Sequence, residues 1–152
     1  MIDTISKILC IVLIFLMLIV APLLISYKVD DAAARREVLF DVTQFIDKVR
    51  DTRALTQGEI DQLYSDCNSH GLAVDVRIRR LIKYITPTDE AGTVKIEYLS
   101  TEDIASLGAF SKGDGVQITV KEIAVSPARS YMYGVFGAED GPLEFTLAGI
   151  VG

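Results

Sequence analysis

One histidine, two cysteines and a scatter of carboxylates are all that this 152-residue chain offers for building a catalytic or metal site. His70 stands beside Gly71 at an expected helix end, where the helix dipole favours a cation without any chemistry. Cys67 falls on the apolar side of the same helix and reads as a buried thiol rather than a nucleophile. Cys10 lies inside a long apolar run, so a Cys10–Cys67 disulfide is geometrically implausible. One His and one Cys outside that run cannot complete a zinc site. Asp41, Asp47, Asp51, Asp61 and Asp66 lack the spacing of a calcium loop. Gly113-Asp114-Gly115 precedes a strand, whereas a phosphate loop opens a helix, so it reads as a turn. No enzyme, no cofactor and no resident metal are expected. What remains is one basic cluster, Arg77, Arg79, Arg80 and Lys83. It suits contact with anionic lipid headgroups or an acidic neighbouring subunit. The favoured reading of the same residues is a solvated sheet face paired with local carboxylates.

Lys and Arg number 15 against 21 Asp and Glu, a net charge of −6. That balance excludes a general nucleic-acid binder, which needs a clustered positive excess. The apolar residues are concentrated near the start. Residues 8–25 read ILCIVLIFLMLIVAPLLI, without one charge or side-chain amide. Extended to Tyr27, the run spans the ~30 Å hydrocarbon core at ~1.5 Å per residue, and only a helix satisfies its own backbone there. Pro22 is expected to kink or loosen the last turns, and Tyr27 and Lys28 suit the interface. A cleaved signal peptide is the competing reading. Its apolar region runs ~7–15 residues and ends at a small-residue site. Here the run is longer, and Ala32-Ala33-Ala34 lies beyond Lys28, Asp30 and Asp31. Nor does Lys7-Ile8-Leu9 supply the small residue that precedes a lipoprotein cysteine. An uncleaved single-pass anchor is therefore expected. Lys7 precedes the span while Lys28, Arg35 and Arg36 follow it, which taken literally puts the C-terminal domain in the cytoplasm. The α-amino group and the brevity of the tail weigh against that count, so charge alone leaves orientation open.

Four segments follow: a tail (1–7), the transmembrane helix (8–27), an amphipathic helix and connection (28–55), and an α+β domain (56–152). Val38, Val42, Phe45 and Val49 recur at spacings of 4, 3 and 4, widened by Leu39 and Ile46, so one helix should leave the membrane and pack on the domain's own sheet. Thr56-Gln57-Gly58-Glu59 is a capping box. It opens a helix whose buried side is Ile60, Leu63, Tyr64 and Cys67, with Gly71 as terminator. Val74, Val76 and Ile78 then alternate with polar residues as a strand that Pro87 ends. Asp89 to Gly92 make a turn, and Val94, Ile96 and Tyr98 a hairpin partner. Ser100 or Thr101 is expected to cap a short helix through Leu107. Val116, Ile118 and Val120 form another strand, Pro127 opens a helix over 128–136, and Leu143 to Ile150 the last strand. The expected fold is α+β: a transmembrane helix continuing into an amphipathic helix on an antiparallel sheet of about four strands.

This order of features resembles the single-span proteins encoded with tight-adherence (Tad) pili of Gram-positive bacteria, the TadE-like and type IV pilin-like group. One stretch carrying the resemblance runs through Phe45-Ile46-Asp47, Leu55-Thr56-Gln57 and Leu63-Tyr64 to Gly71 and the strand from Val74. The other is Gly115-Val116-Gln117-Ile118-Thr119-Val120, then Tyr133-Gly134-Val135-Phe136-Gly137, closing on Ala148-Gly149-Ile150. The resemblance implies a pilin-like fold, a cell-membrane protein with its C-terminal domain outside the cytoplasm, and a role in forming or assembling a surface pilus. Its partners would be membrane lipid and other single-span subunits met through the transmembrane helix, with no nucleic acid. Processed pilins carry a Gly-x-x-x-x-Glu region before the apolar segment. Met1 to Lys7 contains neither Gly nor Glu, which favours an accessory component over a major subunit. The alternative is a membrane-tethered ligand-binding or sensing domain without an assembly role. That reading calls for a pocket of ~300 Å³ or more with convergent polar groups.

Overall fold

A computed structural model describes residues 2–87, 94–102, 108–125, 130, 134 and 141–152. The expected turn at 89–92, most of the short helix ending at Leu107, and the helix over 128–136 with its Tyr133–Gly137 motif lie outside these residues, apart from helical Ser130 and Gly134. The chain divides into two compact units, Met1–Arg36 and Glu37–Gly152.

In the first unit, α1 (Ile2–Phe15) leads through one wide π-helical turn (Leu16–Val20) into α2 (Ala21–Thr52). The Ala21 amide donates to the Leu16 carbonyl, an i→i+5 bond. This is how the backbone accommodates Pro22. Its ring has no N–H for the Leu18 carbonyl and would crowd it in a regular α-turn, so the turn widens. Asp31 and Arg35 form an i,i+4 ion pair at 3.1 Å. Most apolar side chains of this unit are solvent-exposed, Met17 and Leu18 at 71% and 70%. Among the described residues, Asp3–Thr52 is the one helix long and apolar enough to cross a membrane.

The second unit is two-layered. Val38, Val42, Phe45, Ile46 and Val49 of α2 are buried, the 3.6-residue stripe read from the sequence. The helix stops where Arg53 turns left-handed at φ 53°, its amide closing on the Val49 carbonyl at 2.9 Å. Next comes α3 (Gln57–Ser69), opened by the capping box: the Thr56 amide donates to Glu59 Oε2 at 2.9 Å, and the Glu59 amide to Thr56 Oγ1 at 3.4 Å. Lys48 Nζ of α2 reaches Glu59 Oε1 at 2.9 Å. At the far end Gly71 takes φ 79°, the left-handed turn that a Cβ would oppose.

Among the described residues the strands form one antiparallel sheet, β1 (Ala73–Pro87), β2 (Val94–Thr101), β3 (Gly115–Ala124) and β4 (Glu144–Ile150), in the order β2-β1-β3-β4. Val76 pairs with Val120 and Ile78 with Ile118. Their neighbours on β4, Phe145 and Leu147, continue the same face. That face packs against the helices. Ile46 and Arg50 come so close to β4 that a Cβ on Gly149 would lie 2.4 Å from Ile46 Cγ2. The Arg50 guanidinium Nε also donates to the Ile150 carbonyl at 3.2 Å. Tyr64 donates its hydroxyl to the Val76 carbonyl, and Asn68 Oδ1 accepts the Val74 amide at 3.0 Å. These bonds clamp α3 to the start of β1.

Ser100 and Thr101 are the last residues of β2, paired with Leu81 and Arg80; the helix expected after them lies outside the described residues apart from Glu102. The alternation begun by Val94 does not stop at Tyr98. The neighbouring strand continues the ladder through 100 and 101.

Candidate functional site

The four basic residues of the sequence cluster do not form one patch. Successive strand residues point to opposite faces, and Arg80 shares parity with Val74, Val76 and Ile78, the helix-facing set. Its side chain is 14% exposed, with the guanidinium 2.7 Å from Asp114 Oδ2 and 4.9 Å over the Phe110 ring. Arg77, Arg79 and Lys83 belong to the other face. Arg77 meets Asp75 at 3.0 Å, Arg79 meets Glu102 at 2.6 Å, and Lys83 runs beside Gly113. The solvated-face reading fits Arg77 and Arg79; it fails for Arg80.

Asp114 is the residue that sequence reasoning missed. It is 3% exposed and accepts from Arg80, from the Ser111 amide at 3.1 Å and from the Lys83 amide at 3.2 Å. Burial alone would raise its pKa, but the hydrogen bonds from Arg80 and the two amides, with the Arg80 charge, hold the carboxyl below its ordinary value. Its own amide and carbonyl are also engaged, with Ser111 and Val151. The Gly113-Asp114-Gly115 turn therefore fastens β1, β3 and the C-terminal end of the sheet together. The signal in the sequence was the parity of Arg80: a core-facing arginine demands a buried acceptor.

His70 does more than end a helix. Its Nε2 lies 2.7 Å from Asp41 Oδ2, linking α3 back to α2. Cys67 is fully buried. Burial pushes its thiol up to about 12, with the charges of Asp41 and Asp66 adding to the effect, so it is inert as a nucleophile at neutral pH. A half-open groove of about 550 Å³ runs between α2 and α3, its polar lining dominated by Asp41, Asp47, Asp51, Glu59 and Asp66 around Lys48. Three of these carboxylates already have partners: Asp41 with His70, Asp47 with Arg50, and Glu59 with Lys48. Among the described residues no three His, Cys, Asp or Glu side chains converge as a metal-ligand set.

The features that define the molecule are thus an α+β domain with a four-stranded antiparallel sheet and an N-terminal helix long and apolar enough to cross a membrane. Comparison with family models, with curated proteins and with solved structures found no match.

Proposed function

We propose that this chain is a membrane-anchored structural or assembly component of a surface pilus, of the TadE-like or minor pilin-like kind, with its C-terminal domain outside the cytoplasm. The observation that carries the reading is the long helix. Its first part exposes apolar side chains on every side, and its last turns present a buried stripe to the head's own core. A helix apolar all round suits lipid and other helices, and single-span subunits associate laterally by close packing there. The test is affinity purification of the tagged full chain in mild detergent. Other single-span pilus subunits should co-purify; a chain that purifies alone from pilus-producing cells contradicts the proposal. A second reading, a membrane-tethered ligand-binding domain, is supported by the volume of the groove between α2 and α3, about 550 Å³, and by the acidic side chains in its mixed lining. In that case the chain purifies without subunits and is stabilised by a small molecule that fills the groove.

A further inference from the structure

We propose that β2 is the interface of a two-fold homodimer, in which two copies of this chain pair edge to edge, antiparallel about Ile96. Three observations converge on it.

The first is an open edge. β2 pairs only with β1, and among the described residues no strand lies beyond it. Beyond Leu81, opposite the first residue of β3, β1 has β2 as its only strand neighbour among the described residues, so residues 82–87 and 94–99 form a two-stranded ribbon. The Lys83 amide turns to Asp114, on the β3 side. By alternation, the even residues of β1 and their partners 95, 97 and 99 bond to one another. The main-chain groups of Val94, Ile96 and Tyr98 then face outward, ready to accept another strand.

The second is exposed apolar surface on that ribbon. Ile85, Val94, Ile96 and Tyr98 share one face and are 62%, 59%, 53% and 46% exposed. An isolated ribbon of this kind is marginal in water, whereas a wider sheet is not.

The third selects the partner. Val94-Lys95-Ile96-Glu97-Tyr98 is charge-symmetric about its centre. Antiparallel pairing about Ile96 places Lys95 opposite Glu97 of the second copy, Glu97 opposite its Lys95, and Val94 opposite its Tyr98. Lys95 and Glu97 now pair within one strand, 2.6 Å apart at 68% and 53% exposure, and both can turn across the seam. A parallel in-register arrangement, or one centred on Lys95 or Glu97, sets like charges side by side. A lysine on an edge ordinarily repels another strand; this pattern admits its own copy in one register. The contact is isologous and closes as a dimer with a continuous eight-stranded sheet.

The dimer does not depend on the pilus reading. It is tested with the purified full chain in detergent by sedimentation over a concentration series. Wild type should dimerise. Lys95→Glu and Glu97→Lys should each weaken the dimer by tenfold or more. An equal mixture of the two should restore it, because a copy with carboxylates at both positions then faces a copy with ammonium groups at both. A role confined to the strand's own chain gives no rescue on mixing. In a Cys10→Ser background, Ile96→Cys should form a disulfide-linked dimer on oxidation, while Ile123→Cys, more exposed but remote from the edge, should not. A wild type that stays monomeric, a dimer indifferent to both charge reversals, or a mixture that stays apart overturns the proposal. None of these results bears on whether pilus subunits co-purify.

Discussion

Replacing Asp114 by alanine removes, in one step, the acceptor for Arg80, for the Ser111 amide and for the Lys83 amide. It also takes the Asp114 carboxylate away from an arginine whose side chain is only 14% exposed. Breaking a buried pair from one side costs about 3–5 kcal/mol. Asp114→Asn keeps one acceptor oxygen but loses the charge and the second acceptor position, which costs at least the about 1.5–3 kcal/mol of a charge-assisted hydrogen bond. For a folded unit of this size the alanine variant should lower Tm by about 10 °C or more. Arg79→Ala breaks an exposed pair on the same strand and should cost no more than about 1 kcal/mol. The pH dependence follows from the depressed carboxyl of Asp114. The unfolded carboxyl titrates near about 4 and the folded one lower, so the unfolded chain binds more protons as pH falls between the two. The charge contribution of Asp114 is therefore complete above the unfolded value and is lost as pH drops through the folded one. Denaturant titration of wild type and both Asp114 variants, monitored by circular dichroism of the full chain in detergent, measures this. The gap between wild type and Asp114→Asn should be constant from pH 7 to about pH 5 and shrink below about pH 4. An Asp114→Ala cost equal to that of Arg79→Ala, or a gap that widens on acidification, refutes the reasoning.

Three further outcomes are expected. Gly149→Ala forces a methyl to within 2.4 Å of Ile46 Cγ2 and should destabilise by about 1–3 kcal/mol; adding Ile46→Ala should make the double variant more stable than the sum of the singles, measured by the same denaturant titration. In a Cys10→Ser chain, Cys67, buried and with its thiol pushed up to about 12, should resist maleimide at pH 7.5 and react only under denaturant, which mass spectrometry reads directly. Thr56→Ala removes the capping hydroxyl of α3 and should cost about 1 kcal/mol by thermal denaturation.

The elements with a strong local rhythm were legible in the sequence. Val38, Val42, Phe45 and Val49 could satisfy only a helix, and Val74, Val76, Val116, Ile118 and Val120 only strands buried on one face. The capping box at Thr56 is a four-residue motif and is formed in full. What the sequence hid was set by distant partners. Arg80 looks like a member of a charged run until its pairing with Asp114, 34 residues away, places it on the helix face. His70 explains itself as a helix-end cation, and its contact with Asp41, 29 residues back, has no local signature. The continuation of β2 through Ser100 and Thr101 is set by pairing with β1, which has no local signature. The groove between α2 and α3 likewise arises from two helices meeting, which neither segment announces alone.

The proposed role depends on residues 8–27 holding the mature chain in a bilayer. Alkaline carbonate extraction of membranes from cells expressing the full chain with a C-terminal tag tests this directly. The tagged protein should stay in the membrane pellet at full length and be released only by detergent. Recovery in the carbonate supernatant, or as a soluble product lacking the segment before Ala32, would contradict it.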